Sequence, residues 1–134
     1  MARKHLLDAH ALIWYQEGNP RLGSNALTIM SDPASEMIIS VIALAEAAYA
    51  VEKGRTKIPS VTDLLNDVIS DQRIEVYPLT LEILQQSQSA LAVPEMHDRL
   101  IVATTQHVQS LGHQAVLLTK DLDIINAALV PIIW

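Results

Sequence analysis

The sequence has no cysteine, no phenylalanine and only 4 glycines, and aromatic residues make up just 4% of its 134 positions. Without thiolates there is no disulfide framework, no sulfur-ligated zinc and no cysteine nucleophile. The scarcity of aromatic rings argues against the base-stacking platform that single-strand nucleic-acid binders present. Long apolar runs are missing too. Met37 to Ala45, bounded by Glu36 and Glu46, is far shorter than the ~20 apolar residues of a membrane span. The first residues show no signal-peptide pattern, so a cytoplasmic protein with no membrane association is expected. No Gly/Ser/Pro-rich linker, repeat or low-complexity tract divides the chain. A hydrophobic content of 50% over this length suits one core, and a single domain across residues 1–134 is expected.

What is present is alternation. His5-Leu6-Leu7 is a short apolar run ending at Asp8, followed by a helical pattern over Ala11–Gln16 and a stop at Gly18-Asn19-Pro20. Further helices are expected over Ser24–Met30, Val41–Lys53, Val61–Ile69 with Thr62 as cap, Thr80 to about Leu91, and His97–Gln109. Strands are expected at Met37–Ser40, Ile74–Tyr77, Ala115–Leu118 and, at an edge, Val130–Trp134. Strands separated by helices pair in parallel through right-handed crossovers, so the fold class is a three-layer α/β/α sandwich with a central parallel sheet. In such sheets ligands bind beyond the carboxyl ends of the strands.

Four acids fall at that edge. Asp8 follows the first strand and Asp121 follows Ala115–Leu118 by a Thr-Lys step. Glu46 stands alone in the apolar stretch VIALAEAAYAV, and a lone buried carboxylate is costly unless it is paired or metal-bound. Asp98 opens the helix that follows Pro94. Singly, each has a plain structural explanation: Asp8, Asp98 and Asp121 as helix caps, Glu46 on a solvated stripe. Together they converge on one edge of a parallel sandwich, where four carboxylates repel one another unless cations neutralise them. An all-oxygen set favours Mg²⁺ or Mn²⁺, and ions so held activate water for phosphodiester hydrolysis.

The segments LLDAHALIW, ISVIALAEAAYAVEKGR, HDRLIVATTQ and LLTKD, in this order, resemble the PIN-domain ribonucleases, most closely the VapC-type toxins of bacterial toxin–antitoxin modules. The terminal VPIIW is similar to the ending of one branch of that family, and the resemblance covers nearly the whole chain. It implies a PIN-like fold and a metal-dependent endoribonuclease acting on RNA. It assigns Asp8, Glu46, Asp98 and Asp121 to metal binding, sets Thr119 beside them among the catalytic residues, and makes Asp123 an optional fifth acid. It also implies a homodimer and a cognate antitoxin protein as partner. For the dimer the residues themselves offer Ile29, Met30 and Val68, apolar positions beyond one core-facing stripe of their helices. The chain departs from the family pattern at Ala9 and Ala43, where many relatives carry small hydroxyl residues.

The net charge of −6 ordinarily disfavours nucleic acid as a partner. Setting the four acids aside leaves eleven acids against nine bases, a nearly neutral remainder. Lys53, Arg55, Lys57, Arg99 and Lys120 are the candidates for phosphate contact, whereas Arg3 and Lys4 precede the first strand and belong at the opposite end of the sheet. His10 and His97 adjoin site acids but read as packing or hydrogen-bonding residues. His5, His107 and His113 share no ligand spacing. Other α/β readings fit less well. A haloacid-dehalogenase-like phosphatase needs an acid where His10 stands, and a receiver domain needs an aspartate ending Met37–Ser40. An RNA-processing nuclease and a catalytically weak PIN-like interaction domain are the remaining alternatives, the latter supported by Ala9 and Ala43.

Overall fold

A computed structural model of the chain describes residues 3–134. Five strands form one parallel sheet: β1 (Arg3–Leu7), β2 (Glu36–Ser40), β3 (Ile74–Tyr77), β4 (Gln114–Leu118) and β5 (Ile132–Ile133), in the order β3-β2-β1-β4-β5. Between them run α1 (Ala9–Glu17), α2 (Ser24–Ser31), α3 (Val41–Glu52), α4 (Val61–Ser70), α5 (Leu81–Ser87), α6 (Met96–Ser110) and α7 (Leu122–Ala127), giving the three-layer α/β/α sandwich expected from the alternation.

The central strands are continuous apolar runs because both of their faces are covered. Leu6, Leu7, Ile38, Ile39, Leu117 and Leu118 are almost completely buried. From β1 the chain crosses to β2 on one side, while β4 lies on the other side of β1. The carboxyl ends of β1 and β4 therefore flank the switch point where a crevice opens.

Several boundaries differ from the expectation, each for a local reason. α1 starts at Ala9, because Asp8 is extended and its side chain accepts from Ala9 N. α3 is capped by Ser40, whose side chain accepts from Ala43 N, and it ends at Glu52. α4 is capped by Ser60 rather than Thr62. α5 stops at Ser87, well before Leu91, where the Ser87 and Ser89 hydroxyls donate back to Leu84 O and Gln86 O. Only Ile132 and Ile133 of the expected last strand pair with β4. Pro131 has no N–H to give the ladder, although its carbonyl accepts from Leu117 N at 3.0 Å. The apolar residues offered as a surplus exposed face are corrected as well: Met30 and Val68 are buried in the core and Ile29 packs against it.

Candidate active site

Asp8 is placed by the sheet. Its N–H donates to Leu118 O at 3.1 Å, which fixes the first residue beyond β1 against the end of β4. Its side chain is buried and doubly held: Oδ1 accepts from Ala9 N and Oδ2 from the Thr119 hydroxyl, each at 2.6 Å. The fully buried Thr119 hydroxyl also accepts from Asp121 N at 3.1 Å, so one hydroxyl ties the two strand-end acids together. Asp121 in turn caps α7, with Oδ1 accepting from Asp123 N and Ile124 N. Capping and cleft placement are therefore compatible at Asp8 and Asp121; the two readings do not compete there.

At Asp98 they do compete, and the cap is excluded. The N-cap of α6 is Glu95, whose Oε2 accepts from Asp98 N at 2.9 Å, while Asp98 sits in the first turn with its own carboxylate toward the cleft. Glu46 projects from the middle of α3 into the same space, and its Oε1 is buried with no hydrogen-bond partner. His5 Nδ1 and Gln16 Oε1 are likewise unpartnered, but Glu46 Oε1 alone of the three is a carboxylate oxygen, whose charge is costly to bury without a counter-charge.

The cleft that receives these groups has a volume of about 1200 Å³. One wall is the face of α1 bearing His10, Ile13, Trp14 and Glu17, and the other is the face of α3 bearing Ile42, Ala45, Glu46 and Tyr49. Both sets recur at three- and four-residue spacing, so each wall is a single helical stripe. Asp8, Asp98 and Asp121 line it as well, as do the basic residues Arg21, Arg55 and Lys57.

Crowding of like charge is visible in the titration of the acids. Burial lifts the Asp98 carboxyl to about 7, with the charges of Asp121, Asp8, Glu95 and Glu46 adding to the effect. Burial also raises Glu46, reinforced by Asp8, and raises Asp8 despite the hydrogen bonds from Thr119 and Ala9 that favour its charged form. Among the described residues, no three His, Asp or Glu side chains come close enough together to enclose one ion. The acids ring a space and do not form a closed cage. Their donor chemistry fits a hard divalent cation: all oxygen, mutually repelling, with spare lone pairs on Glu46.

The remaining sequence candidates separate. Asp123 is exposed in the first turn of α7 and does not line the cleft. Arg99 is a structural residue, its Nε donating to Val93 O. Lys120 extends its ammonium over the Trp14 ring, 4.6 Å from the centroid. Lys4 pairs with Glu36 at 3.0 Å beside the amino end of β1, away from the site as expected. His10 packs on Trp14 with ring centroids 5.2 Å apart and planes tilted by 49°, and His97 bonds Glu95 at 2.6 Å; both also line the cleft. Tyr49, Glu95, Trp14 and Arg21 were not singled out from the sequence. Tyr49 had a signal available, three residues after Glu46 on the same helical stripe, whereas Arg21 comes from a loop that no periodicity describes.

A parallel α/β/α sandwich with an acidic cleft at its switch point is the class defined by fold and site. Within that class the chain belongs to the PIN domain family, whose pattern matches residues 5–129. No curated protein sequence matches it closely. Three solved structures are similar over nearly their full length. VapBC2 from Rickettsia felis, bound to a DNA fragment from their promoter, shares 18% identity at a TM-score of 0.70, covering 97% of each chain. FitAcB from Neisseria gonorrhoeae shares 14% at 0.66, and VapBC-1 from nontypeable Haemophilus influenzae 16% at 0.62, each covering 97% of this chain and 96% of the other.

Proposed function

We propose that the chain is a divalent-metal-dependent endoribonuclease and the toxin of a type II toxin–antitoxin pair. The observation that carries the reading is the convergence of Asp8, Glu46, Asp98 and Asp121 on one cleft, with the Asp98 carboxyl raised to about 7. In this reading those four residues hold Mg²⁺ or Mn²⁺, which when bound lowers the pKa of water and neutralises charge on the phosphate. Asp8 is held in one orientation by Thr119, and Glu46 offers its orphaned oxygen. The apolar residues Ile13 and Ile42 contribute low-dielectric wall beside the acids. Ala9 and Ala43, both buried, supply no hydroxyl, so water and phosphate are positioned by the acids, with Thr119 acting only through Asp8 and Asp121.

The toxin role rests on family membership and on likeness to the VapBC structures. Cleavage of RNA by the purified protein tests the reading. Activity is expected with Mg²⁺ or Mn²⁺, abolished by EDTA, and lowered by several orders of magnitude in Asp8→Asn and Asp98→Asn. Undiminished cleavage by either variant in metal-free buffer would overturn the mechanism. Co-expression with the product of an adjacent gene tests the toxin role separately, through protection of the host cell and recovery of a complex.

A further inference from the structure

The cleft carries groups that the metal chemistry does not use. Tyr49 lies three residues beyond Glu46 on α3, about 4.5 Å further along the helix axis, and lines the cleft with 53% of its surface exposed. Two cations are gathered at its ring: Lys53 Nζ is 5.3 Å from the centroid and Arg55 Cζ 6.0 Å. Backbone geometry sets the second of them. Gly54, in the left-handed conformation at φ 69, donates to Val51 O, and Arg55 N donates to Ala50 O, each at 3.0 Å. This paired closure of a helix end turns the chain back on itself and leaves Arg55 beside Tyr49. Among the described residues Lys53, Arg55 and Lys57 form no ion pair. Glu17, which lines the cleft with Arg55 and Lys57, accepts from Lys57 N at 2.6 Å and Asn19 Nδ2 at 3.1 Å.

Along α3, therefore, the carboxylate of Glu46 is followed by an aromatic ring with two cations gathered over it. That sequence of groups matches a phosphodiester strand with a base unstacked from its neighbours. We propose that Tyr49 with Lys53 and Arg55 is a nucleotide subsite: the ring stacks the base beside the scissile phosphate of an unpaired RNA strand, and the two cations hold the flanking phosphates. The inference rests on the nuclease reading above. It also narrows the expectation drawn from composition: a stacking platform is absent, but a single ring is enough for one base.

Stacking and charge leave different signatures, and both are read by equilibrium binding of a fluorescein-labelled, unstructured RNA strand of mixed sequence to the Asp98→Asn protein, which retains the cleft without cutting. Adding Tyr49→Ala weakens binding about tenfold without altering its salt dependence, whereas Tyr49→Phe binds as the parent does. Arg55→Gln weakens binding and lowers the slope of log affinity against log salt by about one. A fully paired RNA of the same sequence binds Tyr49→Ala and its parent equally, because its bases are not available to the ring. In the wild-type background the Tyr49→Ala loss is read in KM. Because the ring is half exposed, both tyrosine variants fold, which melting curves verify.

If the wild type cuts RNA and Tyr49→Ala binds the single strand as tightly as its parent, the subsite is overturned and the nuclease reading stands. An equal loss on single-stranded and paired RNA overturns stacking as its basis. If the wild type neither cuts nor binds RNA, the nuclease reading falls and the subsite falls with it.

Discussion

At Asp98 the metal-binding and capping readings can be told apart. Because Glu95 rather than Asp98 caps α6, Asp98→Asn removes charge repulsion with no loss of capping. In EDTA it is expected to be as stable as the wild type or more so, by up to about 1 kcal/mol once the partial solvation of the site is allowed for, read as an equal or higher melting temperature. The pH dependence follows in sign. A carboxyl raised to about 7 in the folded state binds its proton there before the unfolded chain does. Metal-free wild type therefore gains stability as pH falls from above 7 toward about 4, and Asp98→Asn lacks that gain. Thr119→Val tests the positioning of Asp8: the buried carboxylate loses a 2.6 Å bond, with an expected destabilisation of about 1–3 kcal/mol and weakened Mn²⁺ binding. Unaltered metal affinity would confine Thr119 to a packing role. All four acids were legible in the sequence because charge in an apolar context, or at a strand end, breaks a pattern. The Glu95 cap and the Thr119 link were not, since both depend on side chains meeting across loops or between β1 and β4.

Elements were legible where burial dictates period. The runs of β1, β2 and β4 read as buried strands and are buried strands, and the long apolar α3 ends within one residue of its expected stop. Helix limits were less legible where hydroxyl side chains compete for the backbone, as at Ser60 and Ser87. The last strand shows a different constraint. Trp134 lies against Trp14 with centroids 5.9 Å apart, and its carbonyl accepts from Asn25 Nδ2 at 3.0 Å, which ties the end of the sheet to α1 and α2. Gly23 makes room for it, since a Cβ there would stand 2.4 Å from the Trp134 carbonyl carbon. Gly23→Ala is therefore expected to cost about 1–3 kcal/mol by forcing Trp134 away, measured by chemical denaturation. A neutral substitution would mean that this tether contributes nothing to stability. Glu95→Ala removes the cap of α6 and is expected to cost about 1 kcal/mol, in contrast to Asp98→Asn on the same turn.

For the whole molecule, no helix among the described residues is long and apolar enough to cross a membrane. Exposed apolar side chains are spread over several elements: Val76, Leu79, Leu81 and Leu84 around β3 and α5, and also Leu27 on α2 and Ile69 on α4. The helices first considered therefore keep an exposed apolar residue each, and we propose the β3 and α5 face as the homodimer contact, so that Leu81→Lys with Leu84→Lys should give a monomer mass by light scattering. The central claim is that the cleft lined by the four acids binds divalent metal, and calorimetric titration of Mn²⁺ into the metal-free protein near pH 7 tests it most directly. The account predicts saturable binding to the wild type, with proton release detected as a dependence of the heat on buffer ionisation, because the Asp98 carboxyl must lose its proton to become a ligand. Binding should weaken, and the proton release disappear, in Asp98→Asn. No saturable binding, or equal binding and equal proton release in that variant, would contradict it.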